Sequence, residues 1–185
     1  SIIKMSKETK SPHLASSLSC VDIIATLYSS ILKISKKNIN SNLRDRFILS
    51  KGHAAASLYV ALEYKNIITK AELKSYTKKG SLLEEHPSPK LAGVEAATGS
   101  LGHGLSIGCG IALSSEISKK KFMTYVLMSD GECNEGSVWE AALFASAKKL
   151  SNLCAFVDYN KWQSTGRTED ILKLGSLKKK FYEFG

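Results

Sequence analysis

Apolar residues recur at steps of three and four from residue 14 to residue 31: Leu14, Leu18, Val21, Ile24, Tyr28 and Ile31. That spacing predicts one amphipathic helix over the stretch. Residues 46–50 (RFILS) form a short apolar run that predicts a strand, ending in the polar turn Lys51-Gly52-His53. A second helix is predicted over 54–64. A short surface helix should start at Thr69, where Glu72 stands three residues on and completes a capping box. Residues 84–99, with Pro87 and Pro89, read as loop. Gly102, Gly104, Gly108 and Gly110 then punctuate a helical pattern. Glycine weakens a helix, and this many of them point to close packing or close ligand approach.

The pattern is clearest after residue 121. Residues 122–128 predict a strand. Residues 136–150 predict a helix with Trp139, Leu143, Ser146 and Leu150 on one face, and Trp139 reads as core. Residues 153–159 predict another strand. Strand, helix, strand at this spacing is a βαβ unit with parallel strands. The fold class expected is α/β, a mostly parallel sheet flanked by helices. No repeat, low-complexity tract or Pro/Gly/Ser linker divides the chain, so residues 1–185 are expected to be a single domain.

Composition changes this picture little. Of the 185 residues, 43% are hydrophobic and 23% charged, which is ordinary for a globular chain. No apolar run approaches the roughly 20 residues of a membrane span. The opening "SIIKMSKETK" has no signal-peptide character. Cys20, Cys109, Cys133 and Cys154 form no CxxC pair. Free thiols in a reducing, cytoplasmic setting are expected rather than zinc or a disulfide framework. The net charge of +9 comes mostly from lysines in short scattered clusters, with no aromatic-interleaved basic stripe. That argues against nucleic acid and membrane partners, while a modest positive field favours a phosphorylated ligand.

Candidate chemistry lies at the strand ends. Asp130 follows the first strand of the βαβ unit and Asn160 follows the second. Parallel strands end on one edge, and in open α/β sheets that edge is where ligands bind. A carboxylate and an amide oxygen are hard ligands suited to Mg²⁺ or Ca²⁺, with phosphate oxygens and water completing the shell. Asp and Asn are also ordinary turn residues. Spacing alone leaves both readings standing.

"SDGECNEGSVWEA" followed by "NLCAFVDYNKWQSTG" closely resembles the thiamine diphosphate motif of the transketolase family. "SPHLASSLSCVDIIATLY", "DRFILSKGHAAASLY" and "EEHPSPKLAGVEAATGSLGHGLS" resemble further family blocks, in order and at compatible spacing. The resemblance implies a Mg²⁺ site made by Asp130, Asn160 and the main-chain carbonyl of Trp162. It implies thiamine diphosphate contacts from His53, Gly99, Leu101 and Gly131. Glu135 matches a carboxylate near the family's subunit interface, and is also a helix-start Glu of the kind a helix dipole favours. His13, His86 and His103 would position sugar hydroxyls or shuttle protons, and His53 would balance diphosphate charge. The implied reaction moves a two-carbon ketol unit between sugar phosphates, with the cofactor supplying the carbon chemistry.

Departures from the family pattern accompany these matches. Ser129 replaces the first Gly of Gly-Asp-Gly, Pro12 and Ala15 replace glycines around His13, and His103 stands where Gln is frequent. No segment matches the pyrimidine-binding domain, whose Glu activates the cofactor. The chain therefore resembles the amino-terminal component of a split transketolase. It would depend on a C-terminal transketolase subunit, in a homo- or hetero-oligomer. It is short even for that, as if truncated at its C-terminal end. The alternatives are deoxyxylulose-phosphate synthase, the α subunit of a 2-oxo-acid dehydrogenase and a non-catalytic cofactor-domain subunit.

Overall fold

The computed structural model describes residues 1–185. Three strands make the central sheet: β1 (Arg46–Leu49), β2 (Thr124–Ser129) and β3 (Leu153–Asp158), in the order β1-β2-β3. Both pairings are parallel. Ile48 faces Val126 and Ser129 faces Asp158. Side chains alternate across a strand, so each strand feeds two cores. Phe47, Leu49 and Leu127 point into the larger one, with Tyr28, Leu58 and Leu62. Ile48, Val126 and Met128 point into the other, with Leu105, Cys109 and Val138. A sheet buried on both faces explains why these strands read as continuous apolar runs.

Helices α1 (Ile2–Thr9), α2 (Leu14–Ser19), α3 (Val21–Thr26) and α4 (Ala55–Tyr64) belong to the larger core. Next in the chain comes the short α5 (Lys70–Leu73). Its capping box forms as the sequence predicts: Thr69 Oγ1 accepts from the Glu72 amide, and Glu72 Oε2 accepts from the Thr69 amide. Helices α6 (Gly104–Ile117) and α7 (Gly136–Ala147) cover the opposite face of the sheet. The chain closes with a two-stranded antiparallel hairpin, β4 (Trp162–Gln163) and β5 (Gly166–Arg167), then α8 (Thr168–Ile171) and α9 (Leu177–Glu183). No helix is long and apolar enough to cross a membrane. All four cysteines are free, and three are buried.

Two periodicity expectations change. The predicted helix over 14–31 is broken at Cys20 and ends in a wide π turn, Leu27–Ile31. A side chain at the break causes it. The Cys20 thiol turns back on the preceding turn, with Sγ 3.5 Å from the Ser16 carbonyl and 3.7 Å from that of Ser17. Such back-bonding competes with the helix ladder. Leu18 and Ile31 consequently face solvent. In α7 the buried face is Val138 and Ala141, whereas Leu143 is 58% exposed. Trp139 is half-buried. It donates Nε1–H to the Cys133 carbonyl at 2.9 Å and stacks against Phe181 and Phe184 at the chain's end.

The loop over 84–99 is tied along β1, at its amino end through Glu95 and at its carboxyl end through Thr98. Glu95 pairs with Arg44 and with Arg46. Thr98 Oγ1 donates to the Leu49 carbonyl at 2.6 Å. The buried Tyr59 hydroxyl donates to the Glu84 carbonyl at 2.9 Å, with the His86 carbonyl beside it at 3.2 Å. These bonds set where His86 stands.

The glycines of α6 differ in what surrounds them. A Cβ on Gly108 would lie 2.4 Å from Val126 Cγ2 in the sheet, whereas one on Gly110 meets nothing within 4 Å. Overpacking costs about 1–3 kcal/mol, and the helix gains about 1 kcal/mol from Gly→Ala. Gly108→Ala should therefore lose about 2 kcal/mol, the contact being severe, and Gly110→Ala should gain up to about 1 kcal/mol. Urea denaturation of the two variants checks this, and shifts of the same sign would contradict it.

Candidate functional site

A groove of about 740 Å³ opens along the carboxyl edge of the sheet. Its lining includes His13, His53, His86, Gly99, Leu101, Gly131, Asn160 and Trp162. Eight residues singled out from sequence thus meet in one place.

Three imidazoles form one wall. His13 caps the start of α2 in the left-handed region, with φ 69°. A non-glycine residue held there is strained, and such strain gathers at functional sites. His53 sits in the 3₁₀ turn after β1, and His86 on the tied loop. The His13 ring centroid lies 5.6 Å from that of His53 and 6.1 Å from that of His86. Burial lowers the His53 pKa to about 4, and the charge of Lys51 adds to it. The ring is therefore neutral near pH 7.

The glycine turn forms the second wall. Gly99 has φ 151°, and a Cβ there would lie 2.5 Å from the His86 ring. Gly102 has φ 85°, and a Cβ would lie 2.7 Å from Glu135 Cβ. Only glycine lets His86 and α7 approach this turn. Beneath it is Glu132, fully buried. Its Oε1 accepts from Ser50 Oγ and, at 2.9 Å, from the Gly102 amide. Ser50 Oγ in turn accepts from the Gly104 amide at 3.1 Å. Burial raises the Glu132 pKa, and these bonds oppose the rise. One carboxyl thus joins the ends of β1 and β2 to the glycine turn. Ser129, where a glycine is usual, is part of this arrangement: its hydroxyl accepts from the Glu132 amide at 3.2 Å.

The two strand-end residues lie on either side of the groove floor, Asn160 in the lining and Asp130 behind it. Asp130 is fully buried, and its amide donates to the Asp158 carbonyl at 3.2 Å. Its Oδ2 accepts from the Lys161 amide and from Thr168 Oγ1, each at 3.0 Å. Its Oδ1 is buried without a partner. Asn160 Oδ1 accepts from the Trp162 amide at 2.8 Å. Lys161, between them, is left-handed with φ 66°, which turns its amide back to Asp130. Asp130 itself lines a smaller cavity of about 210 Å³ with Lys161 and Thr168, behind the groove rather than in its wall. Trp162 is 56% exposed, with the Arg167 guanidinium 4.8 Å over its ring. A Cβ on Gly131 would lie 2.8 Å from Gln163 Cγ, so this strand end must stay bare.

Three candidates stay outside the groove lining: Asp130, His103 and Glu135. His103 is exposed, with Nδ1 against the carbonyls of Ser100 and Leu101. Glu135 is exposed at the head of α7. Conversely, Lys51, Glu132, Asp158 and Thr168 escaped sequence reasoning. Each is a polar residue beside a strand end or turn, which was the only available signal.

The donor set is compatible with a hard divalent cation. Asp130 has an unpartnered, buried carboxylate oxygen, Asn160 has an amide oxygen that accepts a single bond, and the amide of Lys161, next to Asn160, is bonded to Asp130. Both side-chain oxygens are ligands of the kind Mg²⁺ takes.

Comparison with known proteins identifies the family. Residues 2–185 match the family model "Transketolase, thiamine diphosphate binding domain". The chain is 39% identical over 184 residues to an apulose-4-phosphate transketolase subunit from Phocaeicola vulgatus, covering all of this chain and 66% of that one. It is 38% identical over 174 residues to 6-deoxy-6-sulfo-D-fructose transketolase subunit SqwG of a Clostridium species, covering 94% and 63%. It is 41% identical over 162 residues to human transketolase, covering 87% of this chain and 26% of that one. The chain thus spans less than two thirds of each. Among solved structures, transketolase from Leishmania mexicana superposes with a TM-score of 0.91 at 26% identity, covering 100% of this chain and 29% of that one. The chain belongs to the transketolase family, and its residues are those of the thiamine diphosphate binding domain.

Proposed function

We propose that this chain is the diphosphate-binding subunit of a transketolase, moving a two-carbon ketol unit between sugar phosphates. The observation that carries the reading is the buried, unpartnered Oδ1 of Asp130, whose other oxygen is bonded by the residue after Asn160, at the sheet edge where the histidine-lined groove opens. Asp130, Asn160 and the Trp162 carbonyl would hold Mg²⁺, and the cation would hold the cofactor diphosphate. Bound thiamine diphosphate supplies a carbanion-stabilising centre for cleaving and remaking the ketose carbon–carbon bond.

The chain's own residues bind and orient. Gly99 and Gly131 let main chain approach the ligand, and Leu101 offers an apolar contact. His13 and His86, both exposed on the groove wall, would hydrogen-bond sugar hydroxyls or carry protons to them. His53 is held neutral, so it meets the diphosphate as a hydrogen-bonding imidazole rather than as a resident cation. His103 and Glu135, outside the groove, are better suited to a contact with another chain. Such a partner, a C-terminal subunit with the pyrimidine-binding domain, would supply the cofactor-activating Glu. The word "subunit" in the names of two relatives supports an assembly of this kind. Buried free thiols suit a cytoplasmic location.

Three outcomes are expected. In calorimetry, thiamine diphosphate binds the assembled protein in a Mg²⁺-dependent way. Asp130→Ala weakens that binding about 10²-fold or more, since losing one member of a buried charged contact costs about 3 kcal/mol. Unchanged affinity in that variant would remove the metal reading. Ketol transfer, followed by a coupled assay, emerges only when the pyrimidine-binding partner is added; full activity of this chain alone would remove the partner. The third outcome concerns pH. The folded His53 pKa, about 4, lies below its ordinary 6.5. Protons therefore bind the unfolded chain first as pH falls, and cofactor-free stability is highest above pH 6.5 and drops toward pH 4. His53→Gln should flatten that drop in urea midpoints between these limits; an identical slope in both proteins would contradict the assignment.

A further inference from the structure

A fully buried ion pair lies under the groove, apart from the residues that would touch a ligand. Lys51 is 0% exposed, and its Nζ is 2.5 Å from Asp158 Oδ2. Its other bonds go to the Ser16 carbonyl at 3.1 Å and Ser19 Oγ at 3.2 Å. An ammonium has three donors, so Lys51 is fully engaged. It is also absent from the groove lining, which leaves it no bond for a diphosphate. Pairs this deep gain little net stability, because desolvation offsets the attraction. A positional role accounts for its presence better than a stabilising one.

The position concerned is that of the Asn160 amide. Asp158 Oδ2 accepts three bonds: from Lys51 Nζ, from Ser19 Oγ at 2.6 Å, and from Asn160 Nδ2 at 3.1 Å. The other end of the amide, Oδ1, accepts from the Trp162 amide. Rotating the amide by half a turn would set its oxygen against a carboxylate and its NH₂ against an N–H. Both contacts are repulsive, so the carboxylate decides which atom of Asn160 faces away from it. Asp158 also aligns Asp130 through its main-chain carbonyl.

We propose that the Lys51–Asp158 pair is a positioning pair, which fixes the Asn160 amide with its oxygen toward the divalent cation and so sets cation affinity through Asn160. This rests on the reading that Asp130 and Asn160 hold the cation. A neighbouring charge that orients a metal ligand changes metal affinity by about 10–100-fold when removed.

The test is a double-mutant cycle read as Mg²⁺ affinity, by calorimetry on the assembled protein at saturating thiamine diphosphate. Asp158→Asn keeps the shape of the side chain and should weaken Mg²⁺ binding about 10–100-fold. In an Asn160→Ala background the same change should have almost no further effect, because Asp158 acts through Asn160. A merely structural role would instead give the same loss in both backgrounds, and that result overturns the proposal. Ser19→Ala removes one donor to Asp158 at an exposed position. It should weaken Mg²⁺ binding about 3-fold, again only when Asn160 is present, and wild-type affinity in this variant also overturns the proposal. If Asn160→Ala alone leaves Mg²⁺ binding unchanged, the metal reading itself has failed and the positioning role falls with it. If Asn160→Ala weakens binding but Asp158→Asn and Ser19→Ala do not, only the positioning role has failed.

Discussion

The site depends on the register between β2 and β3. Ser129 pairs with Asp158, and the ladder runs one bond further, from the Asp130 amide to the Asp158 carbonyl. Two parallel strands therefore stop at the same level, and the residues just past each end are forced together. A slip of one residue would turn every side chain of β3 to the other face. It would also carry Asn160 away from Asp130. The apolar strand residues thus determine where two polar ones meet. Neither partner needs a direct bond to the other, because the main chain of Lys161 spans the gap.

Around that point the protein buries an unusual amount of charge. Lys51, Glu132, Asp130 and Asp158 are each at most 5% exposed. Buried charges are costly unless paired and hydrogen-bonded. Lys51, Glu132 and one oxygen of Asp158 are met by neighbours, and those neighbours are the strand ends, the α2 terminus and the glycine turn. Asp130 keeps one oxygen buried and unpartnered. That oxygen is where an outside ligand has something to complete.

Much of this was legible from residue order. The βαβ unit followed from period and spacing, the α5 start from the Thr69–Glu72 pair, and most of the groove lining from motif blocks that lie far apart in the chain. The illegible parts have physical causes. The break at Cys20 arises from a side chain turned back on carbonyls, which leaves the apolar spacing of residues 14–31 intact. Leu143 obeys the helix period but faces solvent, because period defines a face without saying what covers it. Lys51, Glu132 and Asp158 look like surface residues in composition. Their burial becomes visible only when partners 82 and 107 residues away are in place. Ser129 read as a departure, yet its hydroxyl is part of the turn that comes after it.

The Glu132 carboxyl carries an entropic meaning as well. It clamps three separate chain segments, through Ser50, Gly102 and Ser129, before any ligand arrives. A wall preassembled in this way has little conformational entropy left to lose on association. On that side of the groove, association has little ordering left to do.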